Sequence, residues 1–169
     1  MGKEKKKQVG VLGLIVALVV ILFGGLLFVG AVSGWFDDRI ALDSEYFDDG
    51  MEMRELTAAQ YEELVKAQKS FVVLVDQGGC DTADRLREYV IRFMEEEGIR
   101  LEKIMFNEMK NTSLHDNVKY YPSVALISKG RVVYYLRADN DEDVDKYNNY
   151  EAFKSWMKEH LSLKNNVEK

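Results

Sequence analysis

From Val9 to Val32 the chain carries no charged residue in 24 consecutive positions, VGVLGLIVALVVILFGGLLFVGAV. A helix rising about 1.5 Å per residue over that length crosses a hydrocarbon core of about 30 Å. Inside lipid it satisfies its own backbone hydrogen bonds. The spacing therefore predicts a transmembrane helix over residues 9–32. Lys3, Lys5, Lys6 and Lys7 precede the run, whereas Asp37 and Asp38 follow it with Arg39 as the nearby base. Basic flanks stay cytoplasmic, so residues 1–8 are expected inside and everything after the helix outside. That makes the expected location the plasma membrane, single-pass, with an extracytoplasmic C-terminal part.

A cleaved signal peptide is the competing reading, with Ala31-Val32-Ser33 offering small residues for cleavage. The apolar core of such peptides is about 7–15 residues, shorter than this one, so a retained anchor is favoured. The single cysteine, Cys80, lies far from the apolar run, so no lipoprotein-type cysteine follows it. Gly30 and Gly34 have the GxxxG spacing that packs helices, here at the helix exit.

Charge narrows the partners. The chain has 23 Lys+Arg and 29 Asp+Glu; setting aside Lys3, Glu4, Lys5, Lys6 and Lys7 leaves 19 and 28, a net of −9. Such a surface repels nucleic acid and anionic lipid, and neither is an expected partner.

Residues 33–50 are acidic and without period, and are read as a linker with Trp35 and Phe36 at the membrane interface. Residues 51–163 are the expected domain and 164–169 a tail. Met51–Leu56 reads as a short strand. Thr57 and Gln60 have capping-box spacing, opening a helix to about Lys69. The continuous apolar run Phe71–Val75 suits a strand covered on both faces. Gly78-Gly79 breaks it. A helix is predicted over Asp81–Glu97, with Ala83, Leu86, Val90 and Phe93 on one stripe and Gly98 as its stop. Ile99–Asn107 reads as a second central strand with Leu101, Ile104 and Phe106 inward, and Asn111–Asn117 as a short helix or turn. Ser123–Ser128 and Arg131–Arg137 read as strands joined by Lys129-Gly130. Tyr150–Leu161 is a closing helix with Phe153, Trp156, Met157 and Leu161 at helical spacing. This order, βαβαβ(α)ββα, predicts an α/β domain with a mixed central sheet and helices on both faces.

Three features coincide in that order: an apolar strand, FVVLV; a loop, QGGC, whose cysteine opens a helix; and the chain's only proline, 42 residues later in YYPSVALI, opening the next strand. This pattern, over about residues 51–163, resembles the thioredoxin family. In that family the helix-opening cysteine belongs to a CxxC motif and faces a cis-proline. The resemblance implies a thioredoxin-like fold, thiol–disulfide exchange with a protein thiol or peptide partner, and no cofactor. It points to Cys80 as candidate nucleophile, to Tyr121-Pro122 as a cis bond, and to Gly79, Tyr121 and Pro122 as partner-binding residues. It also exposes a departure: Ala83 stands where the second cysteine belongs, and Gly79 where a tryptophan often precedes the motif. One chain therefore cannot close an internal disulfide or run a dithiol cycle alone.

A cysteine at a helix N-terminus has its thiolate favoured by unpaired N–H groups and the helix dipole; the Asp81 carboxylate works against this. Two readings follow. In one, Cys80 forms mixed disulfides that a partner's second cysteine resolves. In the other, the domain is a redox-inactive binding module or accessory protein. Other chemistries lack their motifs. His115 and His160 have no ligand spacing, and no metal is expected. Ser70, Ser123 and Ser128 have no nucleophile motif around them. The acidic run Asp139–Asp145 lacks the glycine and terminal glutamate of a calcium loop, and no GK[ST] follows Gly78-Gly79. Oligomeric state is not encoded in these patterns.

Overall fold

A computed structural model describes residues 38–47 and 52–163. The strands are β1 (Ile40–Ala41), β2 (Arg54–Leu56), β3 (Phe71–Asp76), β4 (Glu102–Met105), β5 (Ser123–Ser128), β6 (Arg131–Tyr135) and β7 (Leu161–Ser162). The helices are α1 (Ala58–Lys66), α2 (Asp81–Glu97), α3 (Phe106–Met109), α4 (Val144–Asn148) and α5 (Tyr150–His160), with 3₁₀ turns at Ser44–Phe47 and Ser113–Asp116. The anchor segment expected over 9–32, the residues before it and the tail lie outside the described residues. Among the described residues no helix is long and apolar enough to cross a membrane.

The central sheet has the order β2-β4-β3-β5-β6. The β2–β4 and β4–β3 pairs are parallel, and β3–β5 and β5–β6 antiparallel. Every residue of β3 is buried, as a strand sandwiched between two helical layers requires. On one face Phe71 packs against Tyr46 (ring centroids 6.4 Å) and against Tyr61 of α1 (5.9 Å, edge-on). On the other, Asp76 reaches Arg87 of α2, and Phe93 of α2 meets Phe153 of α5 edge-on at 6.1 Å. Helices thus cover both faces of a mixed sheet.

The helix boundaries have local causes. Thr57 and Gln60 form both halves of the capping box. The helix they open stops at Lys66 rather than Lys69 because Gln68 turns left-handed (φ 54°), its N–H reaching the Val65 carbonyl and that of Lys69 the Leu64 carbonyl. This paired closure satisfies the last-turn acceptors and ends the helix. Gly98 ends α2 in the same way, with φ 64°.

Four further expectations need correction. Residues 39–47, read as linker, pack into the domain: Ile40–Ala41 pairs in parallel with Leu161–Ser162, and Tyr46 is fully buried. Their signal is too short for a periodicity, since the partner strand lies about 120 residues away. The strand expected over 51–56 is confined to Arg54–Leu56 among the described residues. The strand expected over 99–107 is Glu102–Met105: its inward pair is Glu102 and Ile104, Leu101 is buried just ahead of it, and Phe106 opens α3. Burial of Glu102 is sustained by Arg54 on β2, a pairing no local pattern reveals. Finally, Leu161 leaves the closing helix for β7, and α4 starts within the acidic run, at Val144.

On β6, Tyr134 pairs with Leu126 and Val132 with Ile127, which leaves Val133 between them as a bulge. Strand β6 is one of the two edges of the sheet, β2 being the other.

Candidate functional site

The antiparallel register places Val75, near the end of β3, opposite Ser123, at the start of β5. The chain leaving β3 and the chain entering β5 therefore meet at one end of the sheet. After Asp76, Gly78 and Gly79 both take positive φ, 68° and 71°. Nothing lies within 4 Å of a Cβ built on Gly79, so backbone conformation rather than crowding selects glycine there.

Cys80 then caps α2. Its backbone is extended and its Sγ accepts the Ala83 N–H at 3.4 Å, satisfying one of the helix's unpaired donors. Its carbonyl accepts the Asp84 N–H at 3.1 Å. The thiol is free and half-buried. Ala83 is buried, its methyl group turned into the core and its amide on the sulfur.

Across the sheet end the Tyr121–Pro122 peptide is cis. Pro122 is buried, and its carbonyl accepts the Tyr147 hydroxyl at 3.0 Å. Burial raises the Tyr147 phenol above its ordinary range, helped by Asp143 and Asp139, which keeps it a neutral donor. Tyr121 stacks on Phe106 with centroids 3.6 Å apart, and the Lys110 ammonium sits over the Phe106 ring at 4.3 Å. Tyr120 is 52% exposed.

Sequence reasoning missed two parts of this region. Phe106, expected inside a strand, instead stacks beside the cis peptide. Asp76 is buried and gripped by Arg87 through Nε–Oδ2 (2.8 Å) and Nη2–Oδ1 (3.0 Å), with the Gly78 N–H adding a third contact at 3.0 Å. An acid closing an apolar strand was the available signal, because a buried carboxylate demands a partner. The remaining candidates lie apart. His160 Nδ1 is 3.0 Å from the Trp156 carbonyl, with its ring edge-on to Tyr134. Asp143, from the acidic run, accepts the Arg137 N–H and pairs with Lys146. Among the described residues no cluster of three or more His, Cys, Asp or Glu is placed to hold a metal ion.

A five-stranded mixed sheet, helices on both faces, a helix-capping cysteine and a cis-proline opening the facing strand define an α/β protein of thioredoxin-like architecture. No family model matches the chain, and no curated protein does. Among solved structures it is similar to a mutant thioredoxin from Halobacterium salinarum, at 14% identity and a TM-score of 0.52, covering 69% of this chain and 96% of that one. Fasciola hepatica thioredoxin is 19% identical, with a TM-score of 0.49, covering 64% and 99%. The chain has the thioredoxin fold, a conclusion carried by the first of these together with the topology.

Proposed function

We propose that this protein is a membrane-tethered, extracytoplasmic thioredoxin-fold protein that exchanges disulfides through Cys80 alone. The observation that carries the reading is the Cys80 sulfur: half-buried, capping a 17-residue helix and accepting the Ala83 N–H, beside a loop of two glycines with no side chains to screen it. In the exchange, the Cys80 thiolate attacks a partner disulfide. A Cys80–partner S–S bond forms as the partner's own S–S bond breaks, and one partner thiolate leaves. A second thiol, supplied by the partner, then attacks the mixed disulfide and returns Cys80 as thiolate. Electrons balance within the two proteins and no cofactor enters. Gly79, Tyr121 and Pro122 line the approach of a partner peptide. The anchor reading rests on the charge-free run of residues 9–32 and the lysines before it.

The test is trapping of disulfide-linked partners in cells expressing the full chain, against a Cys80→Ser control. Mixed disulfides that vanish with Cys80→Ser support exchange. Their absence, with partner association unaffected by Cys80→Ala, replaces exchange with a redox-inactive binding role. Protease added outside intact cells should remove the domain; protection would overturn the orientation.

A further inference from the structure

Asp76 closes β3 four residues before Cys80 and is only 2% exposed. Three donors converge on its carboxylate: Arg87 Nε and Nη2, and the Gly78 N–H. The third nitrogen of the same guanidinium, Nη1, reaches Asp84 Oδ1 at 2.9 Å. Arg87 and Asp84 belong to the early turns of α2, the helix that Cys80 caps. The Arg87 fork thus joins the end of the strand to the first turn of α2, and the Asp76 carboxylate it holds also takes the Gly78 amide of the glycine turn. The turn has little else to hold it, because two glycines at positive φ carry no side chains.

We propose that Asp76 and Arg87 are positioning residues for Cys80, fixing the Gly78–Gly79 turn and hence where the sulfur stands at the head of α2. The inference rests on the reading of Cys80 as the reacting thiol, and neither residue is assigned a contact with the partner. Bidentate geometry is what arginine supplies and lysine does not. The charged groups facing Asp76 are Arg87 on α2, which also binds Asp84, and Lys103 on β4. Burial pushes the Asp76 carboxyl up, but the Arg87 and Gly78 hydrogen bonds with the Arg87 and Lys103 charges outweigh it, so Asp76 stays an anion below the usual carboxylate range.

The test uses the full chain in detergent, with hydrogen exchange of the 77–80 segment and the rate of Cys80 alkylation by iodoacetamide as paired readouts. In Arg87→Met the 77–80 amides should exchange about tenfold faster or more, the scale of losing a charged hydrogen bond. Alkylation should change by more than about threefold through displacement of the sulfur. Residues 90–97 should keep their protection, Arg87→Lys should restore part of both readouts, and Asp76→Asn combined with Arg87→Met should add little to either alone. A folded Arg87→Met chain with both readouts unchanged overturns the proposal, as does exchange rising evenly along α2. Should Arg87→Met not fold, Arg87→Lys is read instead, and wild-type behaviour there overturns the proposal equally. Failure to trap any partner disulfide would remove the exchange reading while leaving this measurement intact, so the two failures are distinguishable.

Discussion

Glu102, fully buried on β4, is gripped by Arg54 on the neighbouring strand β2 through two contacts, Nε–Oε2 at 2.9 Å and Nη2–Oε1 at 2.7 Å. The arginine side chain is 46% exposed while its carboxylate partner is inaccessible. The pair therefore admits a charge into the core rather than stitching two surface groups together. Arg54→Met strands the carboxylate, and breaking a buried pair costs about 3–5 kcal/mol. The half-exposed arginine puts this case at about 3 kcal/mol, read from urea unfolding. Arg54→Met with Glu102→Leu should recover most of that loss; no recovery would show that the charge is not the cause.

Stability should fall in acid. Asp76 and Asp143 are both driven up by burial and driven down further by their partners, Arg87 with Gly78 and Lys146 with Arg137, ending below the usual carboxylate range. On the surface, hydrogen bonds from Lys154, Tyr150 and Arg92 draw Glu96 down to about 2. A group depressed on folding adds stability above its unfolded value, near 4, and loses it as pH falls through the folded value. Unfolding free energy should be nearly level from about pH 5 to 8 and drop between about pH 4 and 2. Asp76→Asn should flatten that drop; an unchanged slope would discount Asp76's share.

Two glycines at the same φ of 71° should respond differently to alanine. A Cβ on Gly130 would lie 2.4 Å from the Val65 carbonyl oxygen, whereas one on Gly79 meets nothing within 4 Å. Gly79→Ala should cost about 1–2 kcal/mol from the left-handed backbone alone. Gly130→Ala should exceed it clearly, since α1 must shift. Thermal melts of the two variants decide; equal losses would contradict the packing described.

Tyr46→Ala should cost about 3–5 kcal/mol, as for a large aromatic removed from a core. A melt within a few degrees of wild type would return residues 39–47 to the status of a tether.

Ala83→Cys should restore a dithiol. The Ala83 amide already touches the Cys80 sulfur at 3.4 Å. The oxidised variant should lose both free thiols to Ellman's reagent at unchanged monomer mass, and insulin reduction should appear in it while the wild type shows none. Turnover by the wild-type chain would contradict the single-cysteine reading.

Much of this architecture is visible in the chain itself because its signals are local. Phe71–Val75 advertises a strand buried on both sides, and the stripe from Ala83 to Phe93, bounded by Cys80 and Gly98, marks α2. Thr57 with Gln60, and the Lys129-Gly130 turn, are equally short-range. What stayed hidden depends on residues far apart in sequence. Ile40 finds Leu161, Arg54 finds Glu102 and Phe106 finds Tyr121 only once the chain has folded, and no period or cap precedes any of these contacts. At the candidate site, the place of Cys80 at the head of α2 and the cis bond at Pro122 could be read in advance, whereas the Asp76–Arg87 grip needed a strand end and a helix face brought together.

The parallel pairing of Ile40–Ala41 with Leu161–Ser162 brings the two extremities of the fold side by side. Joined by a short bridge there and reopened in the exposed stretch around Asp139, the same elements would follow one another in a rotated order. A circularly permuted chain should recover the same packing, whichever strand leaves the ribosome first.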